Sequence, residues 1–286
     1  MHLASSPIGI FDSGIGGLSV LQALRHELPQ EHFVYVADSG NAPYGERGDA
    51  FVQQRTGAIA RYLRAQHGIK ALVIACNTAT AAAVEQLRGE IPDLPLIGVE
   101  PALKPASLSS QTHHVGVMGT RGTVTSARFA RLLSEHSQNT QFAVQACDGL
   151  ARAIELSTER PPTRNLQDSE LWALCARHTA SLGRFGLQPG EMDTLVLGCT
   201  HYVFVKDELR ALLGPDVQLI DTGVPVAQQT RRLLAKAGML APEAAPGTDA
   251  AAQIQLFTTG GLGSLQAAAQ RWLDLPAGHC AHIEIA

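Results

Sequence analysis

Residues 72–78 read LVIACNT, and residues 195–201 read LVLGCTH. Each is a short apolar run that stops at a cysteine followed by small polar residues. A run of this kind suits a strand buried on both faces, and the polar step after it suits the loop leading into a helix. Each cysteine therefore belongs at the carboxyl end of a parallel strand, where open α/β sheets bind their ligands. Two such cysteines facing one pocket from opposite sides would suit removing a proton from one face of a carbon and returning one to the other.

The rest of the 286-residue chain alternates strand-like and helix-like stretches, the α/β signature. Strands are expected at 8–11, 32–37, 70–75 and 95–99. Helices fall between them, at 17–28, up to about 66, and up to about 88. The pattern then restarts at 114–118, with a helix to about 137, a strand at 141–146 and a short helix at 151–156. A loop at 160–165, a long helix over 166–182 and a strand at 194–197 follow. Beyond it come the segment 217–221, a helix from about 225, an Ala/Pro linker near 242–251 and a strand at 253–258. The expected architecture is α/β: two similar domains with mainly parallel sheets, facing each other across a cleft. The first boundary lies near 101–105, and spacing alone leaves open which unit takes the tail.

Composition narrows the function. Hydrophobic residues make up 45% and charged residues 17%, an ordinary globular balance. The net charge of −4 and an aromatic share of 5% argue against nucleic-acid binding. No apolar run reaches the ~18 residues of a membrane helix, and no signal-peptide pattern opens the chain, so a cytoplasmic location is expected. Five cysteines without a CxxC pair argue against a disulfide framework or a zinc ribbon.

Four motifs could carry chemistry. FDSGIGG at 11–17 ends a strand at Asp12 and Ser13 and leads through glycines into a helix. Exposed N–H groups there favour an anionic group, although Asp12 or Ser13 could equally be a helix cap. It is neither a P-loop, since Ile15 stands where lysine is needed, nor a dinucleotide fingerprint, since Ser19 replaces the third glycine. CNTAT at 76–80 sets a thiol, an amide and two hydroxyls at a helix start, which should lower the pKa of Cys76. An inert core thiol is the bland alternative. GCTHY at 198–202 puts His201 two residues after Cys199, close enough to relay a proton. APYGE at 42–46 is a turn offering the Tyr44 hydroxyl on an exposed loop. Glu155 reads as a solvated helix carboxylate. HCAH at 279–282 has metal-like residue types, but strand alternation puts His279 and Cys280 on opposite faces. None of the four lysines has a setting for pyridoxal phosphate.

Together these motifs resemble glutamate racemase. IGIFDSGIGGLSV, DSGNAPYGER, ACNTAT, PALKPA, GTRGTVTS, LGCTHY, DTGVPVA and FTTGG appear in the family's order and span nearly the whole chain. Two residues depart from the pattern: Val203 and Asp148 stand where prolines are common. The resemblance implies two facing α/β domains, 1–101 plus 217–286 and 102–216, and commonly a homodimer. It implies racemisation of glutamate without a cofactor or metal, supplying D-glutamate for peptidoglycan. It makes Asp12, Ser13, Pro43, Tyr44, Gly45, Asn77, Thr78, Thr200 and His201 substrate contacts. Cys76 would deprotonate D-glutamate, assisted by Asp12, and Cys199 would deprotonate L-glutamate, assisted by His201. Glu155 maps onto an auxiliary carboxylate.

Three other readings remain open on residues alone. A Cys–His hydrolase would use Cys199 and His201 but leaves Cys76 unexplained. An aspartate racemase would share CNTA. A binding module would hold an amino acid without exchanging its α-proton.

Overall fold

The computed structural model describes residues 4–159, 167, 169–242 and 253–286. Its first four strands are β1 (Ile8–Asp12), β2 (Phe33–Ala37), β3 (Ala71–Ile74) and β4 (Leu96–Gly98). They alternate with helices α1 (Leu18–Glu27), α2 (Asp49–His67) and α3 (Asn77–Glu90). After α4 (Leu103–Ser109) the pattern restarts with β5 (His114–Gly119), β6 (Gln141–Ala146), β7 (Thr194–Gly198) and β8 (Gln218–Ile220). Between these strands lie α5 (Arg121–Val124), α6 (Ala127–His136), α7 (Leu150–Thr158), α8 (Glu170–Leu182) and α9 (Lys206–Leu213). The chain closes with α10 (Gly223–Lys236), β9 (Ile254–Thr258), α11 (Leu262–Leu273) and β10 (Cys280–His282).

The strands form two wholly parallel sheets, ordered β10-β9-β2-β1-β3-β4 and β6-β5-β7-β8. The core of the first, β2-β1-β3-β4, has the same order as the whole of the second. In each, the opening strand lies between its second and third. The winding direction reverses there, and a crevice opens at the carboxyl ends of the first and third strands. Cys76 follows β3 and Cys199 follows β7, so both thiols stand at these reversal points.

Burial explains the apolar runs. Every residue of β1, β2, β3 and β7 is buried. Alternate side chains feed cores on opposite faces: Ile8 and Ile10 of β1 pack with α1, α10 and α11, while Phe11 packs with α2 and α3. The second sheet is covered by α7, α8 and α9 on one side and by α4 and α6 on the other. Its edge strands β6 and β8 carry no fully buried residue. At the opposite end of the first sheet from the cleft, Lys70 and Glu31 form a fully buried ion pair of 2.5 Å. Lys70 also donates to the carbonyl of Ala4, and Glu31 accepts from the N–H of Ala241.

Several expectations need correction. The expected return to the first unit at Val217 comes later: β8 pairs with β7, and only α10 crosses back to pack on α1. A boundary at 217 removes the fourth strand of the second repeat. The helix expected after GTRGTVTS is α6, which Ser126 caps by accepting from the N–H of Phe129, but the motif itself also winds into the short helix α5, which was not expected. The boundary region 101–105 carries α4, with Pro105 tolerated in its first turn. The long helix starts at Glu170, capped by Ser169. The loop expected at 160–165 and most of the linker expected near 242–251 lie outside the described residues. Among the described residues, no helix is long and apolar enough to cross a membrane, and no group of metal-binding side chains occurs.

Candidate active site

A cleft of about 490 Å³ separates the carboxyl ends of the two sheets. Cys76, Cys199, Asp12, Ser13, Pro43, Tyr44, Gly45, Asn77, Thr78, Thr200 and His201 all line it. The two thiols are each 6% exposed, so each is reached only from the cleft.

The Cys76 side is built from β1, β3 and the start of α3. Cys76 caps α3, its sulfur accepting from the N–H of Ala79 at 3.5 Å. The Ser13 hydroxyl lies 3.6 Å from the same sulfur. The helix start was expected to lower the pKa of Cys76. Instead the thiol is pushed well up, first by burial and then by the nearby Asp12 carboxylate; the Ala79 and Ser13 contacts only soften this. Burial also raises the pKa of Asp12, against the pull of His201. One Asp12 oxygen accepts from the N–H of Gly17 at 2.7 Å. The other, like Asn77 Oδ1, is buried without a hydrogen-bond partner among the described residues.

On the Cys199 side three side chains stand in a row. The sulfur lies 3.7 Å from His201 Nδ1, and His201 Nε2 lies 2.6 Å from Glu155 Oε1. The same Glu155 oxygen accepts from the N–H of Ile15 at 2.7 Å. Burial works to lower the pKa of His201, but the bonds to Cys199 and Glu155 outweigh it and hold it well above the ordinary value. The imidazolium form is thus favoured relative to a free histidine. Glu155 is not the solvated carboxylate expected: its side chain is 20% exposed and reaches across to the FDSGIGG turn. The anion-favouring N–H group of that turn is thus satisfied by the protein itself. Two of the turn's glycines allow this approach. A Cβ on Gly14 would collide with Glu155 Oε1, and one on Gly16 with His201 Nδ1.

Two more findings revise the sequence reading. Tyr44 is not on an exposed loop. It is 1% exposed, its ring packs among Phe11 and Phe51, and its hydroxyl donates to Asp38 at 2.6 Å. Only its cleft edge, with Pro43 and Gly45, is available to a ligand. Thr120 was missed. It follows β5 as Ser13 follows β1, and its hydroxyl meets those of Thr78 and Thr123 at 2.9 Å each, joining the two units. The equivalence of β1 and β5 was the available signal. Cys147 also lines the cleft, behind Cys199, with burial pushing its thiol up. His279 and Cys280 flank the start of β10, away from the cleft.

Comparisons agree with this geometry. Residues 16–230 match the family model described as Asp/Glu/Hydantoin racemase. The chain is 45% identical to the glutamate racemase of Ectopseudomonas mendocina over 249 residues, 87% of this chain and 89% of that protein. The crystal structure of a glutamate racemase isoform from Bacillus anthracis superposes with a TM-score of 0.80 at 31% identity, covering 98% of this chain and 97% of that one. The Escherichia coli glutamate racemase, crystallised with L-glutamate and an activator, gives a TM-score of 0.80 at 29% identity, covering 98% and 99%. This chain belongs to the Asp/Glu/hydantoin racemase family and, within it, to the glutamate racemases.

Proposed function

We propose that the chain interconverts L- and D-glutamate by a two-base mechanism, with Cys199 and Cys76 as the acid–base pair. The observation that carries this is the unlike company of two thiols opening on one cleft. A hydrolase of the Cys–His type needs the Glu155–His201–Cys199 relay but has no use for a second buried thiol opposite.

The α-proton of an amino acid is a very weak acid, and the adjacent carboxylate does little to stabilise a carbanion. The protein must supply placed donors and exclude water. N–H groups at the start of α3 and after Cys199, with the Thr78 and Thr120 hydroxyls, are suited to the substrate carboxylates. The buried acceptors Asn77 Oδ1 and Asp12 Oδ1 are suited to its ammonium group. With His201 protonated, Cys199 acts as thiolate and takes the proton of L-glutamate. Cys76, held as a thiol by burial, returns a proton to the opposite face. In reverse, Asp12, whose raised pKa brings it nearer to that of a thiol, takes the Cys76 proton as D-glutamate enters. His201 passes its proton to Cys199, the Cys76 thiolate takes the α-proton of D-glutamate, and the Cys199 thiol returns a proton to the opposite face.

The two sheets read as two domains, each contributing one thiol, with the division after β8 rather than before it. The same reading includes a homodimer in the cytoplasm, feeding D-glutamate to peptidoglycan synthesis. The test is direct. Purified protein is incubated with L-glutamate in deuterated water without added cofactor, and optical rotation and α-deuteration are followed. Loss of rotation to zero with full α-deuteration is expected. Rotation that stays constant rules the proposal out.

A further inference from the structure

Behind the cleft wall lies a buried carboxylate for which the two-base scheme has no use. Asp38, wholly buried, follows β2 and accepts five hydrogen bonds from side chains. Tyr44 donates its hydroxyl at 2.6 Å and Thr259 at 2.7 Å. Asn41 Nδ2 donates at 3.1 Å. Arg55 closes the set with two prongs, Nη2 at 2.9 Å and Nε at 3.1 Å. The remaining Arg55 nitrogen donates to the Ile285 carbonyl at 2.8 Å. The Asp38 backbone N–H in turn donates to the Asp12 carbonyl at 2.9 Å.

These bonds converge on the root of one loop. Residues 43–45 form the cleft wall opposite α5, and a Cβ on Gly45 would stand only 2.8 Å from Thr120 Cβ. The loop of the first unit and the α5 end of the second thus meet at van der Waals distance, and a small shift of either changes the width of the cleft there. A buried ion pair is weak evidence for stability, because desolvation offsets much of the attraction. A forked Arg–carboxylate pair does fix geometry in two directions.

We infer that Asp38 and Arg55 are positioning residues for substrate binding: they set the Tyr44 loop, and through it the width of the cleft between Gly45 and Thr120. Neither residue touches the substrate. The inference rests on the glutamate racemase reading for its substrate. Both thiols are carried by other elements, so losing this pair should loosen binding and leave the proton transfers largely intact.

The experiment compares wild type with Arg55→Ala, Arg55→Lys, Tyr44→Phe and the Tyr44→Phe/Arg55→Ala double variant. Racemisation gives KM and kcat, and calorimetry gives the Kd for glutamate. Arg55→Ala is expected to raise KM about tenfold while kcat stays within about threefold, the pattern of lost binding rather than lost chemistry. Arg55→Lys, which keeps the charge but not the fork, should fall between. Tyr44→Phe keeps the ring in the core and removes only the bond to Asp38, so it remains informative if Arg55→Ala fails to fold. The double variant should be no worse than the stronger single one, since both act through one carboxylate.

Unchanged KM and Kd in folded Tyr44→Phe and Arg55→Lys overturn the inference. So does a fall in kcat at constant KM, or simple multiplication of the single effects. A wild type that neither racemises nor binds glutamate overturns the functional reading and this inference with it. An active wild type with unaffected variants overturns the inference alone.

Discussion

Glu155 Oε1 is shared between His201 Nε2 at 2.6 Å and the Ile15 N–H at 2.7 Å, so one carboxylate oxygen ties the Cys199 relay to the glycine turn of the facing unit. The bond to Ile15 spans 140 residues of sequence. It joins the side chain that faces Cys199 to the turn that follows β1. Glu155→Gln keeps the shape and removes the charge. Its catalytic efficiency is expected to fall by roughly 10- to 100-fold, the lower part of the range for acid–base assistance. The fall must be equal from either enantiomer, because the equilibrium constant between them is one. Polarimetric progress curves from L- and D-glutamate below KM check both the size and the equality. Unchanged efficiency would mean that the relay stops at His201.

The same relay makes stability depend on pH. The folded-state pKa of His201 is held well above its ordinary value of 6.5. A raised pKa contributes stability that is fully present below the unfolded value and lost as pH rises through the folded one. The stability difference between wild type and His201→Asn should therefore be largest near pH 6 and shrink steadily into the alkaline range. Urea unfolding at a series of pH values measures it. A difference that grows with pH would contradict the raised pKa of His201. Asp12 carries the opposite lesson: its ionised form is disfavoured by burial, so Asp12→Asn should hold or gain stability at neutral pH while losing activity.

Gly16 offers a steric test at the same place. A methyl carbon there would stand only 2.3 Å from His201 Nδ1, the atom that faces Cys199. Gly16→Ala should displace the imidazole and lower kcat by about tenfold or more, because a shift near 1 Å at a reacting group is that costly. Gly48→Ala is the matched control, since nothing lies within 4 Å of the added carbon. Equal kcat for both variants would show that the close approach carries no function.

Most of the fold was legible because burial on both faces leaves a plain mark. The runs at β1, β3 and β7 are continuous and apolar, and each ends where the chemistry begins. The cleft was legible for a related reason: a parallel strand delivers whatever follows it to one edge of the sheet, so Cys76 and Cys199 had to emerge there. What sequence could not supply were partners distant in the chain. Glu155 looks solvated until His201 and Ile15 are brought to it. Tyr44 looks exposed because turn residues surround it, yet Asp38 and two phenylalanine rings enclose it. The pKa of Cys76 went the other way for an energetic reason. A helix start contributes little beside the desolvation of a thiol under a neighbouring carboxylate.

The buried pair Lys70–Glu31 separates stability from catalysis. Both side chains are inaccessible, and they hold the segments at Ala4 and Ala241 against the amino-terminal end of the first sheet, remote from the cleft. Lys70→Met leaves the Glu31 carboxylate buried without its counter-charge, which typically costs about 3–5 kcal/mol. Denaturant unfolding should show that loss. The fraction still folded should retain wild-type KM and kcat, and a change in either would mean that the far end of the sheet communicates with the cleft.

The decisive prediction separates the two thiols. In the proposed scheme each faces one side of the substrate carbon, so removing one should abolish inversion without abolishing proton removal from the remaining face. Cys76→Ala keeps Cys199 with its His201–Glu155 relay. It is expected to exchange the α-proton of L-glutamate with deuterated water while optical rotation stays constant, and to leave D-glutamate unlabelled. Cys199→Ala keeps Cys76 with Asp12 and should label D-glutamate alone. Residual racemisation in either variant should be at most about 1% of wild type, since general acid–base groups contribute some 10²- to 10⁴-fold. Proton NMR of the α-position, read together with polarimetry, distinguishes exchange from inversion in one sample. If Cys76→Ala racemised at the wild-type rate, a single thiol would be serving both faces and the two-base scheme would be wrong. If each variant labelled both enantiomers, the thiols would not be confined to opposite faces, and the division of labour between the two sheets would have to be abandoned.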